Sequence, residues 1–96
     1  MEGLTRYDVA VFKGTAMVVV ESDLLPPDPA VVVIPLLPDY PAVTQLNPMV
    51  RFDGQHLVLA TRLIASVPRA ALRKTGSIAD QGDEVLRAID VLLTGV

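Results

Sequence analysis

The sequence predicts a mainly β, α+β domain of antiparallel strands with one C-terminal helix, and three observations carry that expectation. Alternating apolar residues and β-branched runs fill the first two thirds of the chain. Turn residues separate them, above all Asp53-Gly54 and several proline-rich breaks. The last segment instead repeats its apolar residues at helical spacing.

Taken in order, Tyr7, Val9 and Val11 alternate with Asp8 and Ala10, the period of a half-buried strand. Lys13-Gly14-Thr15 supplies turn chemistry before a second run, Ala16 to Val20, so the two form a hairpin. Glu21-Ser22-Asp23 ends it. Leu24-Leu25 then precedes Pro26-Pro27-Asp28-Pro29, whose three prolines can neither donate to a ladder nor continue a helix. Ala30 to Leu37 is a strand buried on both faces, with Pro35 marking an edge or a bulge. From Pro38 to Pro48 the chain has no period and reads as irregular. Met49 to Phe52 and Gln55 to Leu59 form a second hairpin, because Asp-Gly favours the positive φ values of a type I′ turn. Arg69 to Leu72 suits a helical turn, and Gly76-Ser77 punctuates the chain before the last helix. There Val85, Leu86, Ile89, Leu92, Leu93 and Val96 share one helix face, with Asp80, Asp83 and Glu84 at the start and Gly95 at the stop.

Length and composition bound the function. A chain of 96 residues supports one core, so a single domain over residues 1–96 is expected. Apolar residues make up 51% and charged residues 20%, more apolar surface than so small a domain can hide, which favours a homodimer. A net charge of −3 gives no basic field for a nucleic-acid backbone. The absence of cysteine excludes disulfides and thiolate metal sites. No secretory leader and no apolar run of ~18 residues is present, so a cytoplasmic protein without a membrane span is expected.

Candidate chemistry is sparse. His56, the one histidine, lies on a predicted strand with no serine or acid spaced as a triad. Asp80, Asp83 and Glu84 complement the positive end of a helix, which accounts for them without a metal. No phosphate loop, zinc spacing, nucleophile elbow or cofactor motif is present. Arg69, Arg73 and Lys74 form the local basic cluster, either a solvated face or a place for an acidic partner segment. Apolar residues at Leu24-Leu25 and in Leu93-Thr94-Gly95-Val96 either complete the core or form an exposed surface.

Four blocks carry a family resemblance: VVVESDLL (Val18 to Leu25), VVVIPLL (Val31 to Leu37), LNPMVRFDGQHLVLATRLIASVP (Leu46 to Pro68) and DEVLRAIDVLLTGV (Asp83 to Val96). In this order they resemble the CcdB family of plasmid-maintenance toxins. The resemblance implies an SH3-like barrel with a C-terminal helix, shared with the MazF and Kid toxins. It also implies a cytoplasmic homodimer that acts without catalysis or cofactor as the toxin of a type II toxin–antitoxin pair. Such toxins bind the A subunit of DNA gyrase and trap it on cleaved DNA, and an antitoxin wraps the dimer. Carried over by position, the gyrase-binding residues are Leu24, Leu25, Asp90, Leu93, Thr94, Gly95 and Val96, one continuous patch in a two-fold dimer. Arg69, Arg73 and Lys74 are the candidate antitoxin-binding residues. Two positions depart from the best-studied toxin: Thr94 stands where it has a tryptophan and Asp90 where it has an asparagine. An aromatic anchor often contributes ~2 kcal/mol or more to such an interface. A relative that binds an antitoxin but no longer poisons gyrase is therefore the alternative. A sequence-specific endoribonuclease of the MazF type is a further one, although no catalytic set or basic RNA groove is visible for it.

Overall fold

The computed structural model describes residues 3–95. Two hairpins build its sheet. Strand β1 (Asp8–Phe12) pairs antiparallel with β2 (Thr15–Val19), and β4 (Met49–Phe52) pairs with β5 (Gln55–Leu59). Each is closed by two residues with positive φ, Lys13 and Gly14 at 50° and 81°, Asp53 and Gly54 at 54° and 75°. These are the type I′ turns that match the twist of the flanking strands.

The β-branched run becomes β3 (Ala30–Leu37), which joins the hairpins. On one side it pairs with β2 through Val33, Ile34 and Pro35. On the other side its first half pairs with β6 (Ala65–Pro68) and its last two residues pair with β5. Pro35 was expected to mark an edge or a bulge, yet it is buried inside this central strand. Its place explains the tolerance. The neighbour changes there from β6 to β5, so no ladder donor is demanded of it, and its carbonyl still accepts from the Ala60 N–H at 3.0 Å.

A seventh strand, β7 (Arg73–Ser77), pairs with β1. Its sequence, RKTGS, has no apolar alternation, and Gly76-Ser77 was expected to punctuate the chain; the segment is instead a polar end strand with little to bury. Its presence also corrects the reading of β1. Enclosed between β2 and β7, β1 buries Asp8, Val9 and Ala10 in succession instead of one face. Helix α1 (Gly82–Thr94) follows. The whole is a curled antiparallel sheet in the order β4-β5-β3-β2-β1-β7, with β6 beside β3 and one C-terminal helix, consistent with an SH3-like barrel.

Side chains sort by strand alternation. Val9, Val18, Ile34, Leu36, Leu57 and Leu59 gather under α1 with Val85 and Ala88. Val19, Val31, Val33 and Val67 form a second cluster with Leu4, Phe12, Met17 and Leu72 packed against it. The curl brings the two end strands together: a Cβ on Gly76 in β7 would lie 2.7 Å from Cε1 of Phe52 in β4, so the ring occupies the space that glycine leaves. Gly76→Ala is therefore expected to cost about 1–3 kcal/mol in urea unfolding through overpacking. Adding Phe52→Leu, which withdraws the ring, should recover part of that loss.

Candidate functional site

The loop between β2 and β3 is held at both ends. The Ser22 hydroxyl accepts from the Leu24 N–H at 3.1 Å and the Ser22 carbonyl from the Leu25 N–H at 3.2 Å. Asp23 Oδ1 accepts from the Arg6 N–H at 2.8 Å, tying the turn to the N-terminal segment. At the far end Asp28 Oδ2 accepts from the Ala30 N–H at 2.9 Å. Arg69 then clamps the loop: its Nε donates to the Asp28 carbonyl at 2.8 Å and its backbone N–H to the Pro29 carbonyl at 2.7 Å. Its guanidinium lies 3.6 Å from Glu21, whose other oxygen accepts from the Val32 N–H at 3.1 Å. With three prolines between these anchors the backbone has few alternatives. What the clamp holds out is apolar, with Leu24 94% and Leu25 56% exposed.

Helix α1 ends as its sequence suggests. Gly95 takes φ 74° and its N–H bonds to the Val91 carbonyl at 3.0 Å, an αL stop. The Thr94 hydroxyl donates back to the Asp90 carbonyl at 2.6 Å, so this side chain is turned onto its own helix. The buried face is narrower than the spacing implies. Gly82, Val85 and Ala88 are buried, Ile89 and Leu92 are half-buried, and Leu86 and Leu93 flank them in solvent, Leu93 at 71% exposure. Asp90, Thr94 and Gly95 are exposed too, while Val96 lies outside the described residues.

The basic cluster is divided. Arg69 sits in a 3-10 turn and is committed to the loop. Lys74, on β7, lies 3.4 Å from Asp8, a buried carboxylate that also accepts from the Thr5 N–H. Arg73 is exposed beside it. Arg69, Lys74 and Leu25 line one open groove of about 800 Å³, floored by Leu4, Val19 and Leu72. The part played by Leu4 and by the Glu21 and Asp28 anchors was not anticipated; only the apolar character of Leu4 and the acid-flanked prolines hinted at it. The groove does not meet the helix within one chain. Val19 borders the groove while Val18 packs beneath α1, and consecutive strand residues point to opposite faces. His56 is exposed on β5, and among the described residues no three His, Asp or Glu side chains converge as a metal site requires.

A family model described as CcdB protein matches residues 7–95, nearly the whole chain. The chain belongs to the CcdB family. No curated protein matches it. CcdB membership supports a toxin of a toxin–antitoxin pair in general. No helix among the described residues is long and apolar enough to cross a membrane.

In this CcdB-family chain the Arg69 clamp makes a checkable demand. Arg69→Ala should lower stability by about 1 kcal/mol, the charge-assisted bonds being partly screened by solvent. Amide exchange at Leu24, Leu25 and Ala30 should rise while exchange in β5 stays unchanged. Unchanged exchange in the loop would mean that the prolines alone hold it.

Proposed function

We propose that this chain is the toxin of a type II toxin–antitoxin pair and that it acts as a non-catalytic inhibitor of DNA gyrase, binding the A subunit and trapping it on cleaved DNA. The observation that carries the reading is the outward placement of Leu24, Leu25 and Leu93 on rigid supports. A leucine left in water forgoes roughly 1.5–3 kcal/mol that burial supplies. Two such sites, on a clamped loop and a capped helix end, suit a surface that a partner covers. Leu24, Leu25, Asp90, Leu93, Thr94, Gly95 and Val96 form the gyrase-binding set. The groove that Leu25 lines and the cluster beneath α1 take opposite faces of β2, and a two-fold dimer with both helix ends near its axis would unite loop and helix end in one patch, which favours the homodimer. A wedge of this kind works by higher affinity for one gyrase conformation than for the others, so no reacting group is needed.

The cognate antitoxin is assigned to Arg69, Arg73 and Lys74. Arg73 offers its charge directly, while Arg69 and Lys74 contribute through the groove that they line. Cytoplasmic residence follows from both partners. A second reading, a family member that retains antitoxin binding but no longer poisons gyrase, is favoured by Thr94, whose hydroxyl is bonded to its own helix and which offers no aromatic anchor.

Purified chain added to gyrase and supercoiled plasmid, with denaturation before electrophoresis, decides between them. Linear DNA trapped on gyrase is the expected product. Leu24→Asp and Leu93→Asp should each cut poisoning at least ~10-fold with the melting temperature unchanged within ~2 °C, since both side chains are exposed. Thr94→Trp should strengthen it. No linear DNA, together with retained antitoxin binding, supports the second reading, and cleavage of added RNA would replace both with a ribonuclease.

A further inference from the structure

Strand β4 ends the sheet, and an end strand carries backbone donors and acceptors that serve as a template for another chain. The two-residue turn at Asp53-Gly54 determines which groups these are. Phe52 and Gln55 close the hairpin as a mutually bonded pair, so Arg51, opposite His56, turns its N–H and C=O away from β5. Gln81 meets both. The Arg51 N–H donates to Gln81 Oε1 at 2.9 Å, and Gln81 Nε2 donates to the Arg51 carbonyl at 2.7 Å. One carboxamide thus reproduces the pair of bonds that a neighbouring strand would make.

The carboxamide is held in place from its own side. Gln81 is buried, its backbone N–H bonds to the carbonyl of the fully buried Ile78 at 2.8 Å, and the next residue begins α1. Chemistry also limits what can stand there. A glutamate offers acceptors only while ionised and would set an oxygen against the Arg51 carbonyl; an asparagine is one methylene shorter. Strand β4 itself, Met-Val-Arg-Phe, is rich in strand-forming residues, and the same edge is present on every copy, so antiparallel pairing of two β4 strands about a two-fold axis is the association this edge invites.

We propose that Gln81 is an edge cap, a side chain that fills the outward rung at Arg51, next to the turn, in place of a strand and keeps that edge of β4 from pairing with β4 of a second copy. This is independent of what the leucine-bearing surfaces bind. Hydrogen exchange and sedimentation test it. In the unmodified chain the Arg51 amide should exchange as slowly as that of Leu57 in the β4–β5 ladder; exchange at the rate of an exposed amide overturns the proposal, and this measurement needs no variant. Gln81→Met, of similar length and without polar atoms, should speed Arg51 exchange at least ~10-fold at a dilution where its mass equals that of the unmodified chain, and at higher concentration its mass should rise above that of the unmodified chain. Adding Arg51→Pro removes the outward N–H, and the mass should return. An unchanged mass in Gln81→Met, or a rise that survives Arg51→Pro, overturns it.

Discussion

The structure depends on β3 serving two neighbours along one side. Ala30 to Val33 pair with β6 and Leu36-Leu37 with β5, while the opposite side of the strand pairs with β2. A strand so placed is covered on both faces and on both edges, which is why eight residues in a row are almost wholly aliphatic. The change of neighbour has a geometric consequence. The β4–β5 hairpin leaves the line of the main sheet at Pro35, and the resulting curl carries Phe52 onto Gly76 of β7. Closure then rests on a ring filling a glycine's vacancy instead of a continuous ladder.

Within that arrangement the apolar side chains divide between interior and surface. Valines alone form one buried cluster, and valine and isoleucine share the other with Leu36, Leu57 and Leu59. Leu24, Leu25, Leu86 and Leu93 remain outside. Their exposure is not looseness, because polar bonds fix each support: Ser22 and Asp23 at one end of the loop, Arg69 at the other, and the Gly95 stop on the helix. Backbone groups are satisfied and side chains are not, the distribution of an interaction surface on a fixed frame. A protein that binds a partner through such leucines gains from this distribution, since a flexible surface would lose affinity to ordering on contact.

Much of this was legible in the chain. The Asp53-Gly54 hairpin and the helix stop at Gly95 follow from backbone chemistry that few other residues allow, so they could be read locally. β7 could not, because a polar end strand has no apolar period and owes its place to pairing with β1. Pro35 misled for a related reason: its cost depends on what faces its missing N–H, and that is decided by the arrival of β5 and β6 from later in the chain. At the site, helical spacing set Leu86 and Leu93 on one face with Val85 and Ile89 and left open whether they were buried; the core takes only Gly82, Val85 and Ala88 and leaves Leu86 and Leu93 exposed. The basic cluster read as one patch divides, because Arg69 and Lys74 find Glu21 and Asp8, acids 48 and 66 positions away that no local pattern connects to them.

A partner that covers the clamped loop and the helix end must slow exchange there. Hydrogen-exchange mapping of the full chain, free and in complex with the gyrase A subunit, tests it most directly. Slower exchange on binding is expected at Leu24, Leu25 and through the last turn of α1, with β5 and the Asp53-Gly54 hairpin unchanged. Protection confined to the hairpin or to β7, with the loop and the helix end exchanging as in the free chain, would contradict it.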